Sequence, residues 1–144
     1  MSEALEFRPI ADGDVDEIID LWEACGLTRP WNDPGGDIAF ARGKPGSDVL
    51  VAREGGRVLA SVMVGHDGHR GTVYYVSVAP DARGRGRGRQ AMAAAEAWLQ
   101  ARGVWKLNLL IREENARVRA FYEALGYGTE PRIVMARRLG GDPA

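Results

Sequence analysis

The segment from Tyr74 to Leu99, YYVSVAPDARGRGRGRQAMAAAEAWL, places alternating arginine and glycine between a strand pattern and a helix pattern. The aromatic and β-branched run before Pro80 favours a strand, and the alanine-rich stretch beginning near Gly86 favours an amphipathic helix. Glycine lacks a Cβ, so the loop backbone can turn tightly and come close to a ligand. The unpaired N–H groups of a helix start then favour an anion. The segment therefore predicts a loop that binds a pyrophosphate or a cluster of phosphates.

The composition indicates that the arginines of this loop are a local feature. The chain has 144 residues, of which 45% are hydrophobic and 27% charged, and its formal net charge is -1. Such a chain forms one globular domain, whereas a dedicated nucleic-acid binder usually carries an overall basic excess. The loop cations are Arg83, Arg85, Arg87 and Arg89. Their local clustering favours a small anionic ligand and no nucleic-acid partner.

The sequence offers no sign of a membrane or export signal. No apolar run approaches the roughly 20 residues that a membrane span needs, and the start MSEALEFRPI lacks a signal-peptide core. Cys25 is the single cysteine, which excludes an intramolecular disulfide and fits a reducing compartment. We therefore expect a cytoplasmic protein with no membrane partner.

The order of the predicted elements indicates an α/β fold with a mixed, mostly antiparallel sheet flanked by helices. Asp14 and Glu17 form a capping-box pattern, and Gly55-Gly56 and Asp67-Gly68 mark hairpin turns. The predicted elements are a strand at 5–10, helices at 15–26 and 36–42, strands at 48–54, 57–66 and 71–80, a helix from about 86 to 103, a strand at 104–111, a helix at 116–126 and a strand at 133–139. The order is therefore β-α-α-β-β-β-α-β-α-β in one domain, 1–144.

Two other interpretations of the arginine–glycine loop stay open at this point. A disordered nucleic-acid segment would normally be longer and would not lie between a strand and an amphipathic helix. Gly86-x-Gly88-x-x-Ala91 satisfies a dinucleotide fingerprint, and Glu113 follows at about the required distance. In that motif, however, the glycines follow the strand directly, whereas residues 80–85 intervene here. The GxxxxGK[ST] pattern of phosphate-binding ATPases is absent.

Two motifs make the chain resemble the GNAT family of acetyl-CoA-dependent N-acetyltransferases. The family pattern Arg/Gln-x-x-Gly-x-Gly/Ala is matched by Arg83, Gly86 and Gly88, in the run Arg83-Gly84-Arg85-Gly86-Arg87-Gly88. A second pattern is matched by Asn115, Phe121-Tyr122 and Gly126-Tyr127. The predicted order of elements is also similar to that of the family, so the resemblance covers nearly the whole chain.

The resemblance implies how acetyl-CoA and an amine acceptor would bind and react. The amides from Arg83 to Gly88 would hold the pyrophosphate, and the pantetheine arm would lie along Val76, Ser77 and Val78. Asn115 would contact that arm, and an N–H near Val78 would stabilise the oxyanion. Tyr122 would donate a proton to the departing thiolate, while the amine attacks directly. Tyr122 also suits a core position, and Asn115 a helix cap.

The general base and the precise activity are left open by the sequence. Protein N-terminal acetyltransferases often carry a glutamate late in the strand before the asparagine motif, and Leu110 stands there. Glu113 and Glu114 lie in a predicted turn, and either Tyr74 or Tyr75 could line the cleft. The alternatives are a protein N-terminal acetyltransferase and a non-catalytic coenzyme A-binding module. Many family members form homodimers.

The acceptor side is expected in the loop between the first two helices. Trp31 offers an aromatic face there, and Asn32, Asp33 and Asp37 offer acceptors for an ammonium group. The run Arg-Pro-Trp-Asn-Asp-Pro at 29–34 resembles a bacterial GNAT subgroup, which supplies no substrate. His66-x-x-His69 invites a metal interpretation, but no third ligand stands at suitable spacing, so no metal is expected.

Overall fold

A computed structural model describes residues 4–140. Contacts divide the chain into two compact units, and the boundary along the sequence lies between Leu109 and Leu110. The strands of the described residues are β1 (Phe7–Pro9), β2 (Ser47–Glu54), β3 (Arg57–His66) and β4 (Gly71–Val78). The helices are α1 (Val15–Ala24), α2 (Pro34–Ala41), α3 (Arg87–Ala101) and α4 (Ala116–Ala124). The predicted class, an α/β fold with a mostly antiparallel sheet flanked by helices, is confirmed.

The first unit contains a four-stranded antiparallel sheet in the order β1-β2-β3-β4. Gly55 and Gly56 connect β2 to β3, and both have positive φ, as a tight hairpin turn requires. The predicted three-stranded meander is therefore confirmed. β4 lies at the edge of the sheet because it pairs with β3 alone among the named strands.

Helices cover both faces of this sheet. Val49, Leu50, Val51 and Ala52 are all buried, although successive side chains of a strand point to opposite faces. Val49 and Val51 belong to the apolar cluster with α1 and α2, which includes Ile18, Trp22 and Ile38. The other face is covered by α3, whose buried side chains are Ala91, Met92, Ala95 and Leu99. None of the helices among residues 4–140 is long and apolar enough to span a membrane.

The second unit contains α4, and the residues predicted to begin and end this helix are confirmed. The Asn115 side chain accepts a hydrogen bond from the Val118 N–H at 3.2 Å, so it caps the helix. After α4, Gly126 has a φ of 96°, which suits the glycine that ends a helix.

Two predicted strands are wrong. Within 104–111 the structure has an isolated parallel bridge between Leu107 and Gly71 in place of a strand. Residues 133–139 form no strand, and Ile133, Val134 and Met135 are all exposed. An apolar, β-branched run favours a strand, but a strand exists only where another chain segment pairs with it in a fixed register.

The predicted capping box at the start of α1 is also wrong. The Asp14 carboxylate accepts the Ala11 N–H at 2.8 Å and pairs with Arg8 and Arg53 at 3.0 and 2.9 Å. Glu17 accepts the Val58 N–H at 2.6 Å. Both carboxylates thus join α1 to the sheet, because Arg8 and Arg53 from two strands pair with them. Neither carboxylate then caps the N–H groups in the first turn of α1.

The Asp14 network predicts an acid-dependent loss of stability. Burial would raise the pKa of Asp14, but hydrogen bonds from Arg8, Ala11 and Arg53 hold it at about 2, below the usual 3.8. This contribution, about 2 kcal/mol, is complete above roughly pH 4 and is lost as the pH falls towards 2. We expect Asp14→Asn to lower the free energy of unfolding by about that amount at pH 7, and by much less at pH 2.5.

Urea unfolding at both pH values measures this effect. Asp12→Asn is the matched control, because Asp12 pairs with Arg42 at the surface, where its side chain is 98% exposed. It should change the stability by less than about 0.5 kcal/mol. A deficit of Asp14→Asn that is the same at pH 7 and pH 2.5 would refute the assignment.

Candidate active site

The arginine–glycine loop leads from the end of β4 into α3, as the sequence predicts. A short 3-10 turn at Pro80–Ala82 follows β4, and α3 begins at Arg87. Gly84 and Gly86 have φ values of 85° and 73°, which side chains with a Cβ rarely adopt. Gly86 is the N-cap residue of α3, and no side chain of the described residues caps this helix. The N–H groups at the start of α3 therefore remain open to an anion.

The four arginines of this loop have different surroundings. Arg85 and Arg89 are exposed and make no hydrogen bond or ion pair with residues 4–140. The Arg87 side chain is only 11% exposed, donates to the Ala82 carbonyl at 3.2 Å and pairs with Glu54 at 3.4 Å. Its Nε atom is buried without a partner. Arg85 and Arg89 are thus the cations that are free to bind phosphate.

Arg83 folds back onto the end of β4. Its Nε donates to the Val78 carbonyl at 3.3 Å, and its Nη2 lies 3.3 Å from the Cys25 Sγ. The Cys25 thiol donates to the same carbonyl at 3.3 Å. Cys25 therefore connects the end of α1 to the position where β4 meets the loop. The sequence contains no short-range signal for this contact, because 58 residues separate Cys25 from Arg83.

β4 has a free outer edge that ends at the loop. Within the described residues, the backbone hydrogen bonds on this edge join only Gly71 to Lys106 and Asn108. The register changes along the strand: Tyr74 pairs with Met63, whereas Ser77 pairs with Ser61. Two residues of β4 thus oppose one of β3, which defines a β-bulge. Unpaired groups on such an edge are suited to bind a ligand that carries amides.

Tyr75 lies in this bulge. The sequence predicts that either Tyr75 or its neighbour Tyr74 lines the cleft. Its φ of 54° makes it the one non-glycine residue with a positive φ in the described chain. Burial and the hydrogen bond to Asp37 raise the pKa of Tyr75 well above its usual value, while Asn32 acts in the opposite direction. Tyr74 is 49% exposed, so the two neighbours have different surroundings.

The residues proposed for the acceptor side lie at the start of α2. The Asp33 side chain accepts the Gly36 N–H at 3.1 Å and so caps α2, which begins at Pro34 rather than at the predicted Gly36. Trp31 is 49% exposed, so it does not pack fully into the core. Asn32 contacts the Tyr75 phenol. Asp33 therefore has a structural role whether or not it also binds a substrate.

The second unit holds the other predicted site residues. Tyr122 is buried, and its ring makes edge contacts with Phe121 and Tyr127 at centroid distances of 5.0 and 5.7 Å. Burial raises the pKa of Tyr122, so the phenol remains protonated at neutral pH. Leu110 is exposed, and Glu113 and Glu114 lie in an exposed turn, as predicted.

The first unit fits the phosphates and amides of a coenzyme A molecule. Gly84 and Gly86 keep the loop backbone open, the start of α3 is uncapped, and Arg85 and Arg89 supply free charge. The unpartnered Arg87 Nε is one further donor beneath the loop. The edge of β4 provides backbone groups for amides next to the loop, except at the Val78 carbonyl, which already accepts from Arg83 and Cys25.

Comparisons with known proteins agree with this arrangement. Residues 15–127 match the acetyltransferase (GNAT) family. An acetyltransferase of Yersinia enterocolitica is 44% identical over 135 residues, which are 94% of this chain and 96% of that protein. An aminoglycoside N-acetyltransferase in complex with CoA matches with a TM-score of 0.80 and 17% identity, over 94% of this chain and 95% of that one. Glucosamine-6-phosphate N-acetyltransferase from Arabidopsis thaliana matches with a TM-score of 0.71 and 21% identity, over 96% and 100% of the chains.

The two structural matches support the fold, and the family match and the Yersinia relative support the activity. Together they define an acyltransferase enzyme. The chain belongs to the GNAT acetyltransferase family.

Proposed function

We propose that this enzyme transfers an acetyl group from acetyl-CoA to a primary amine of a small molecule or peptide. The observation that carries the proposal is the loop after β4, in which Gly84 and Gly86 have left-handed backbones and the start of α3 is uncapped. The amides from Arg83 to Gly88 would hold the pyrophosphate, with Arg85 and Arg89 adding charge. Val76, Ser77 and Val78 would present backbone groups to the pantetheine arm. The thioester, when bound, supplies the activated acetyl group.

The acid that protonates the leaving thiolate is proposed to be Tyr122. The phenol is buried and its raised pKa keeps the proton in place at neutral pH. Asn115, which caps α4, is proposed to contact the pantetheine arm with the part of its amide that the cap leaves free. The acceptor amine must lose a proton before it attacks, and we propose a chain of water molecules for that step, with no side chain assigned as the base.

The acceptor is proposed to bind near Trp31, Asn32 and Asp33. The exposed ring of Trp31 and the acidic start of α2 suit a cationic amine, since an ammonium group binds both aromatic faces and carboxylates. The Arg-Pro-Trp-Asn-Asp-Pro run at 29–34 is the feature by which the chain would be grouped with a bacterial GNAT subgroup. A protein N-terminal acetyltransferase is the alternative, and Leu110 disfavours it.

Three wider features belong to the same proposal. The chain acts as one catalytic domain, 1–144, although contacts divide it into two units. It works in the cytoplasm, in keeping with a single cysteine, Cys25. Many members of the family are homodimers, and the transfer is proposed to need no metal ion.

A thiol-release assay with acetyl-CoA tests this function. The panel contains polyamines, amino acids, aminoglycosides and short peptides, each with and without the enzyme. We expect amine-dependent release of free thiol with at least one class. Binding of acetyl-CoA without thiol release for any class would favour the non-catalytic coenzyme A-binding module, and release with peptides alone would favour the N-terminal acetyltransferase.

A further inference from the structure

Tyr75 has a backbone conformation that an aromatic residue seldom adopts. Its φ of 54° lies in the left-handed region, which is strained for a residue with a Cβ. Tyr75 also stands in the bulge of β4, directly before Val76, Ser77 and Val78. Other contacts must therefore hold this residue in place, and the side chain of Tyr75 supplies them.

Trp22 of α1 contacts both Tyr75 in the bulge and Ser61 of the neighbouring strand β3. Its ring stacks on that of Tyr75 with a centroid distance of 3.8 Å and an interplanar angle of 3°. Its Nε1 donates to the Ser61 hydroxyl at 3.0 Å, which lies 3.1 Å from the Ser77 hydroxyl. Both serines are buried, so the Ser77 side chain faces the core. One indole ring thus contacts the bulge residue and, through Ser61, the strand just after it.

Asp37 of α2 holds the other end of the Tyr75 side chain. The Tyr75 phenol donates to the Asp37 Oδ2 at 2.8 Å. A hydrogen bond to a carboxylate is stronger than one between neutral groups. Asp37 makes no ion pair within residues 4–140, and the Tyr75 phenol is the side-chain hydrogen-bond donor to its carboxylate there. The helix that follows the Trp31–Asp33 segment is therefore joined to the bulge by this hydrogen bond.

We propose that Tyr75, clamped between Trp22 and Asp37, is a positioning residue that shapes the outer edge of residues 76–78 to bind the amides of the pantetheine arm. The inference rests on the proposed function, since it concerns the same ligand. Within residues 4–140 the Tyr75 side chain makes its hydrogen bond with Asp37 and its ring contact with Trp22, and neither partner belongs to the phosphate loop or to α3. Its effect should therefore be strongest on the part of the ligand that lies along β4. The Tyr75 hydroxyl acts through the backbone and transfers no proton.

The test compares the binding of acetyl-CoA with that of 3'-phosphoadenosine 5'-diphosphate, which carries the phosphates but no pantetheine arm. Calorimetry measures the first, and the NMR shifts of the loop glycine amides measure the second even when it is weak. We expect Tyr75→Phe and Asp37→Ala each to weaken acetyl-CoA binding about tenfold. The affinity for the nucleotide fragment should change less than about twofold.

Three further variants separate positioning from general destabilisation. Asp37→Asn retains an oxygen that accepts the phenol hydrogen bond, so its affinity for acetyl-CoA should stay within about threefold of wild type. The double variant Tyr75→Phe/Asp37→Ala should bind no more weakly than either single variant, because both remove one interaction. Asp20→Ala, at an exposed position of α1, should have no effect. The Tm of every variant is recorded alongside.

The outcomes distinguish this inference from the proposed function. Failure of the wild-type enzyme to bind acetyl-CoA contradicts the proposed function. Wild-type binding that Tyr75→Phe leaves unchanged contradicts the role of Tyr75 alone. Equal weakening of acetyl-CoA and of the nucleotide fragment also overturns it, because the residue would then only maintain the fold.

Discussion

Replacement of Gly86 by alanine is expected to weaken acetyl-CoA binding about tenfold, because alanine costs about 1–2 kcal/mol in the left-handed conformation. Gly86 has a φ of 73°, is exposed, and has no atom within 4 Å of where a Cβ would stand. The Gln90 N–H donates to the Gly86 carbonyl at 3.0 Å, but the Gly86 N–H itself makes no backbone hydrogen bond within residues 4–140. The loop on the N-terminal side of Gly86 can therefore relax, and its shape must be restored when the ligand binds. The cost therefore falls on the affinity rather than on the stability of the fold.

The double variant Gly84→Ala/Gly86→Ala extends the same argument. Gly84 also has a positive φ, 85°, and is equally free of neighbours. The two costs should add, which gives a loss of about a hundredfold in affinity. Isothermal titration calorimetry with acetyl-CoA measures both variants.

Gly103, at the opposite end of α3, is the matched control. Its φ is 82°, and a Cβ would likewise meet nothing within 4 Å. Backbone hydrogen bonds hold it, from its own N–H to the Gln100 carbonyl and from the Val104 N–H to the Leu99 carbonyl, both at 3.0 Å. Gly103→Ala should therefore lower the Tm and leave the affinity unchanged. Equal affinities for Gly86→Ala and Gly103→Ala would mean that the loop does not bind the ligand.

Tyr122→Phe should lower kcat about a hundredfold, the usual contribution of a positioned acid, with the KM for acetyl-CoA within about twofold. The variant keeps the buried ring and its contacts with Phe121 and Tyr127, and it removes only the hydroxyl. Turnover is measured with the amine that releases thiol fastest in the panel. Because burial raises the pKa of Tyr122, any loss of activity through its deprotonation should begin at a higher pH than an unperturbed tyrosine would give.

Tyr127→Phe is the control for this experiment, because it removes a hydroxyl from the neighbouring ring of the same motif. It should leave kcat within about twofold of wild type. If Tyr122→Phe retains full turnover, Tyr122 has no catalytic role and the buried ring serves the core alone. A parallel loss in both variants would indicate a general disturbance of the second unit.

Local signals in the sequence were sufficient to predict most of the fold. The glycine pair at Gly55-Gly56, the Asn115 cap and the Met92, Ala95 and Leu99 face of α3 depend on neighbouring residues, and all are present. The strand–loop–helix unit with its left-handed glycines was likewise predictable. These features follow from backbone conformations and helix periodicity that a few adjacent residues determine.

Features that depend on distant partners could not be predicted in this way. Asp14 resembles a helix cap in sequence, but Arg53, from another strand, pairs with it at 2.9 Å. The left-handed backbone of Tyr75 could not be predicted either, because a tyrosine in an apolar run predicts a regular strand. Its cause is the stack on Trp22 and the hydrogen bond to Asp37, which lie 53 and 38 positions away along the chain.

In the proposed function, uncapped main-chain N–H groups at the start of α3 bind the pyrophosphate of coenzyme A. Its most direct test is an NMR titration of the labelled enzyme with acetyl-CoA that follows the amides of Gly84, Gly86 and Gly88. If the pyrophosphate binds at these amides, all three signals should shift strongly, and the shifts should saturate together with the binding of acetyl-CoA. Saturation by acetyl-CoA while all three signals stay in place, or shifts produced by NADH and not by acetyl-CoA, would contradict it.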